Sequence, residues 1–132
     1  MPDADLDVFR RAFDAFNRRD FAAWEAECDP EFTDVPPRDW PENEPVHGRG
    51  PVWRFLDEAT ELWGHPTFEY SEATMVGGRV VALVASDVQG RVSGATVPWR
   101  YWVVVSFRDG KALQIEWYAD RAEAVRATSR QD

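Results

Sequence analysis

The sequence predicts an α+β domain, a cone-shaped, curved antiparallel sheet wrapping N-terminal helices. Three observations predict it. Helical apolar periodicity marks three stretches before Gly64, a period of two takes over from Thr67, and Gly77-Gly78 and Asp109-Gly110 punctuate the second half as hairpin turns. Helices first and then a run of strands is the α+β order.

Residues 4–18 read as the first helix, because Leu6, Phe9, Phe13 and Phe16 recur every three or four positions as one stripe. Asp20 is placed to cap a second, short helix with Phe21, Trp24 and Cys28 on one side, ended by Asp29-Pro30. Residues 31–35 form a short strand candidate. The stretch from Pro36 to Gly50 is aperiodic and holds Pro36, Pro37, Pro41 and Pro45; long loops of this kind are often lids, and Trp40 sits where it can close over a pocket.

Pro51 opens a third helix carrying Val52, Phe55, Leu56, Ala59, Leu62 and Trp63, and Gly64 with Pro66 stops it. Strands follow over 67–76, 79–89, 96–108 and 111–118, with Pro98 suggesting an edge or a bulge in the third of them. Asp120 and Glu123 have the spacing of a capping box for a last helix over 121–127. Residues 1–132 form one domain, with no internal repeat.

Composition narrows the function. The chain is 44% hydrophobic with seven Trp, so it buries a core without disulfides or metal, and the surplus of Trp suggests a lined cavity or a sticky face. A net charge of −9 argues against nucleic acid and against anionic membrane surfaces as partners. One cysteine, Cys28, allows no internal disulfide. The longest apolar run, residues 80–85, is too short for a membrane span, and the N-terminus has no secretory pattern, so a cytoplasmic location is expected. Two isolated histidines give no metal-site spacing, and no Gly-rich phosphate loop is present, so neither a metal nor another cofactor is expected.

The order of elements, with Asp20 to Trp24, Asp29-Pro30 to Phe32-Thr33-Asp34, Pro45-Val46-His47-Gly48-Arg49, Phe107 to Lys111 and Trp117-Tyr118-Ala119-Asp120, resembles the nuclear transport factor 2-like superfamily. Within it, the chain is similar to SnoaL-like and ketosteroid-isomerase-like proteins, over roughly residues 5–127. The resemblance implies a cystatin-like α+β barrel with a hydrophobic pocket, and often a homodimer. It places Asp34 at the position of the proton-abstracting aspartate of the isomerase-like members. Those isomerases stabilise the oxyanion with a first-helix tyrosine and a protonated aspartate. Here the first helix has no tyrosine and the strand position falls at Val103, so the resemblance does not carry ketosteroid isomerisation with it. The epoxide-hydrolase branch is weakened likewise, since Trp117 stands where one of its aspartates would.

The residues themselves bear on the chemistry. Asp34 shares a strand face with Phe32, and a carboxylate turned into an apolar cavity has its pKa raised and can act as a general base; the alternative is an exposed strand-end residue. Tyr101 and His47 are candidate polar partners, with His47 read first as part of a turn and second as an acid–base partner. Phe13, Phe16, Trp24, Phe55, Trp99, Val103 and Trp117 are the candidate substrate-binding positions, and the large rings among them either line the cavity or fill it. Arg100, Trp102, Val104, Glu116 and Tyr118 have the opposite parity, which puts Trp102 on an outer face suited to a homodimer. The expected function is binding of a small apolar molecule, with isomerase or cyclase chemistry on a cyclic or polyketide-like substrate using Asp34 as base. The competing expectations are a non-catalytic ligand-binding or accessory protein and a dimeric interaction module with its cavity packed shut.

Overall fold

The computed structural model describes residues 2–61, 63–64, 66–89 and 96–129. The expectations for Leu62, His65 and the Gly90–Gly94 stretch lie outside these residues. In chain order the elements are α1 (Pro2–Asn17), α2 (Phe21–Glu27), β1 (Cys28–Val35), β2 (Val46–His47), α3 (Arg49–Glu61), β3 (Glu69–Val76), β4 (Arg79–Gln89), β5 (Thr96–Arg108), β6 (Lys111–Tyr118) and α4 (Arg121–Ala127).

The six strands form one curved, unclosed sheet in the order β2-β1-β6-β5-β4-β3. It is not wholly antiparallel as expected: β1 runs parallel to β6, while the other neighbours are antiparallel. Residues 36–110, more than half of the chain, separate these two strands, so no hairpin constrains their direction. Curvature is introduced where the register shifts, between Cys28 and Thr33, Ser71 and Thr74, and Ser106 and Phe107. Glu72, at φ 52, lies within the second of these. At Asp109-Gly110 both residues have positive φ, 50 and 77, which suits the tight hairpin the dipeptide predicts.

Two boundaries differ from expectation. Cys28 begins β1 rather than extending α2; its φ of −108 and ψ of 142 are extended. Pro30 disfavours helical geometry at the residue before it, so the chain has already left the helix by Asp29. The long loop is also shorter, because Val46–His47 pairs with Thr33 and Asp34 and α3 starts at Arg49. Pro98 lies at a one-sided part of its strand: it is opposite Asp87 on β4, whereas β6 pairs with β5 only from Trp102 onward.

The concave face holds the main core. Register turns Val80, Ala82 and Val84 inward with Val103 and Val105, and Phe9 of α1, Trp24 of α2 and Val52 of α3 pack against them. Asn17 docks the end of α1 through two bonds to the Phe68 backbone, its Nδ2 donating to the carbonyl at 2.9 Å and its Oδ1 accepting from the amide at 3.0 Å. On the convex face α4 lays Ala124 and Ala127 against Val81 and Val104. The middle of β4 is therefore buried on both sides, which accounts for its unbroken apolar run. Asp120 caps α4 by accepting from the Glu123 amide, as the box spacing predicts. Trp102 is half-buried on this face beside α4, with the Arg121 guanidinium 5.9 Å from its ring centre.

Candidate functional site

Alternation along β1 puts Phe32 and Asp34 on the concave face, both buried. Asp34 stands opposite Val46 on β2 and Ile115 on β6. Trp117 is two residues beyond Ile115 and so leans diagonally toward Asp34 on the same face. Its Nε1–H donates to Asp34 Oδ1 at 2.6 Å. Asp34 is 0% exposed, and its Oδ2 is buried with no hydrogen-bond partner. Burial pushes the carboxyl up to about 7, and the Trp117 hydrogen bond pulls in the opposite direction. Near neutral pH the group is thus divided between acid and carboxylate, the condition for taking up or releasing a proton.

Beside it lies a cavity of about 110 Å³. Phe9, Phe13 and Phe16 of α1, Trp24 of α2, Trp99 of β5 and Ile115 and Trp117 of β6 contribute to its wall. Trp40 and Trp63 join them from the segments flanking α3. The rings pack on each other at angles, with centroids 6.4 Å apart for Trp40–Trp63, 5.9 Å for Trp63–Trp99 and 5.8 Å for Trp99–Trp117. They both fill the cone and line what remains. The remaining space is well below the ~300–1,000 Å³ of drug-sized ligand sites.

The other candidates fall into place unevenly. Phe32, Ile115 and Trp117, the neighbours of Asp34 on its face, are wall residues, while Asp34 stands one layer behind them. Val103 is fully buried in the core behind the wall. Phe55 packs against Trp40, 6.2 Å between ring centres, rather than on the cavity. His47 is not brought to Asp34. It pairs with Thr33, whose side chain points to the opposite face of β1, and its exposed ring lies 3.1 Å from Thr33 Oγ1. Tyr101 is engaged elsewhere: its hydroxyl accepts from Trp40 Nε1 at 3.1 Å and donates to Asp39 Oδ2 at 3.2 Å.

This Asp39–Trp40–Tyr101 cluster is the feature that sequence reasoning missed. A tryptophan in a proline-rich loop was the available signal, but only the fold shows which strand residue receives it. Cys28 is also on the wall; burial pushes its thiol up to about 12, so it stays protonated at neutral pH. Among the described residues no three His, Cys, Asp or Glu side chains cluster to hold a metal ion, and no helix is long and apolar enough to cross a membrane.

Comparison with known proteins agrees with this architecture. The SnoaL-like domain family matches residues 9–115, and the chain belongs to that family. No curated protein matches the chain. Among solved structures it is similar to an NTF2-like protein of unknown function from Burkholderia pseudomallei, at 23% identity and TM-score 0.75, covering 96% of this chain and 98% of that one. It is also similar to TerC co-crystallised with polyporic acid, at 19% identity and TM-score 0.75, covering 96% and 99%. A third similar structure, described as a SnoaL-like polyketide cyclase from Jannaschia, has 16% identity and TM-score 0.75, covering 98% and 94%. At these identities the likeness is one of fold.

Proposed function

We propose that the protein binds a small, apolar cyclic molecule in the aromatic cavity and uses Asp34 as a general base in cofactor-independent isomerase- or cyclase-type chemistry. One observation carries this reading: a fully buried carboxylate on the concave face, with one oxygen held by the Trp117 indole and the other without a partner. Desolvation brings its pKa to about 7, and Trp117 orients it. A base in that state can remove a proton beside a carbonyl and return it elsewhere on the same molecule.

Deuterium incorporation at the α-carbons of cyclohexanone in D2O, followed by NMR, tests the reading. The wild-type protein should accelerate exchange over buffer, and Asp34→Asn should remove on the order of a hundredfold of that acceleration. Exchange no faster than buffer, or unchanged by Asp34→Asn, overturns the catalytic reading.

A second reading has its own support. Asp34 is behind the wall, and the Tyr101 hydroxyl, the nearest family-like oxyanion donor by strand parity, is committed to Trp40 and Asp39. Under this reading the protein is a non-catalytic ligand-binding or accessory protein, and a ligand recovered unaltered after incubation supports it. Under either reading we also propose a homodimer through the convex face around Trp102. Trp102→Glu should convert it to a monomer in sedimentation; a monomeric wild-type protein refutes the interface.

A further inference from the structure

Building on the assignment of this cavity and Asp34 as the site, we infer that its ligand is an uncharged molecule of one ring that presents a hydrogen-bond donor to Asp34 Oδ2. Size, charge and polarity each point there independently. A cavity of about 110 Å³ is smaller than the ~150 Å³ that admits benzene, so a single ring enters only as the wall gives slightly and fused rings are excluded. Its walls are tryptophans seated against one another, so admitting a second ring means repacking several at once.

Charge is excluded by the wall. Among the described residues, none that lines the cavity is a Lys, Arg, His, Asp or Glu. Its hydroxyl, that of Thr60, already donates to the Leu56 carbonyl at 2.9 Å and accepts from Arg19 at 3.0 Å. An anion would enter with no cation to meet it and with Asp34 nearby, and a cation would lose its water for ring faces already covered by other rings.

Polarity is set by the one buried side-chain atom that is unmet among the described residues. Asp34 Oδ1 is taken by Trp117, while Oδ2 has no partner. Phe32, Ile115 and Trp117, neighbours of Asp34 on its face, are all wall residues, so Asp34 adjoins the cavity, and the proposed contact requires its side chain to turn Oδ2 past them. As a carboxylate, the form that prevails at the pH of the test below, Asp34 only accepts, so the ligand must supply an O–H or N–H.

Calorimetric titration of the purified protein with five probes tests this. Phenol meets all three requirements; anisole lacks the donor, benzoate and benzylammonium carry charge, and 2-naphthol adds a ring. At about pH 7.5, phenol should bind at least about tenfold more tightly than each of the others, the advantage of one hydrogen bond to a charged acceptor. Parity of any one of them with phenol, or no binding of phenol, overturns the inference. In Asp34→Asn the side-chain amide donates instead, and both phenol and anisole can accept, so the preference between them should shrink toward one. A preference that survives unchanged also overturns the inference. The exchange experiment separates the two ideas. A protein that accelerates exchange but fails the probe series keeps its base and loses this ligand class, and one that passes the probe series without exchange keeps the ligand class and loses the base.

Discussion

Replacing Asp34 by Asn should invert the usual effect of damaging a candidate site, because the wild-type protein loses stability there as pH rises. In the unfolded chain the Asp34 carboxyl ionises near its ordinary value of 3.8; in the fold burial holds it protonated up to about 7. Between these two values the unfolded state releases a proton that the folded state keeps, so unfolding becomes progressively easier, and the loss levels off above about 7. At about 1.4 kcal/mol per pH unit the full loss is about 4 kcal/mol. Asp34 is 0% exposed, so solvent does not screen this cost. Asn cannot ionise but can still accept from the Trp117 indole, so the variant keeps the contact and drops the pH dependence.

The assay is urea unfolding followed by tryptophan fluorescence, for both proteins, between about pH 4 and about pH 8.5. The stability of Asp34→Asn relative to wild type should rise by about 4 kcal/mol across that range. Other groups titrate there too. Asp29, held low by its hydrogen bonds from Arg108, is stabilising at higher pH and loses that contribution as the solution is acidified. It is common to both proteins and cancels in the difference. Curves that stay parallel within about 1 kcal/mol would show that Asp34 is not held protonated, and the base assignment would go with it.

Three further outcomes follow from named contacts. Trp117→Phe removes the Nε1–H that favours the Asp34 carboxylate, so carboxyl 13C NMR should find Asp34 titrating higher than in wild type; an unchanged or lower value refutes the role given to the indole. Tyr101→Phe frees Trp40 and Asp39 together, which should cost about 1 kcal/mol and speed amide exchange in residues 36–45, read by mass spectrometry. Unaltered exchange there would mean the loop is held by other contacts. Asp120→Ala uncaps α4 and should cost about 1 kcal/mol in urea unfolding, with Asp120→Asn restoring most of it; equal losses in both would point away from capping.

How much of this was legible beforehand varies with the range of the interaction. The bounds of the four elements from Arg79 to Ala127 are local matters, set by Gly-Gly and Asp-Gly turns, period-two patterns and the Asp120 cap, and they appear in the structure where the sequence puts them. Cys28 went astray because the helical stripe of α2 runs smoothly into it, and the competing influence, a pairing with Ala112 on β6, is 84 positions away. Asp34 was legible as an inward residue from its parity with Phe32, but its partner was not. The Trp117 indole reaches it only because β1 lies parallel to β6 with Asp34 beside Ile115.

Tyr101 and His47 show the same division. Strand parity placed Tyr101 on the concave face, yet whether its hydroxyl served Asp34 or the loop depended on where Trp40 came to rest. His47 was readable as an acid–base partner or as part of a turn, and the pairing with Thr33 turns its ring to the other face.

By itself, the sequence determined the α+β class, the order of elements, the inward face of the last two strands and an aromatic surplus that had to be either wall or filling. These follow from periodicity and turn chemistry within a few neighbouring residues. Tertiary structure alone decided that the rings do both, leaving about 110 Å³, that Asp34 stands behind Trp117 with one oxygen unmet, and that α4 buries part of the convex face. Those outcomes depend on strand direction, register and close packing between distant segments, and no local pattern encodes them.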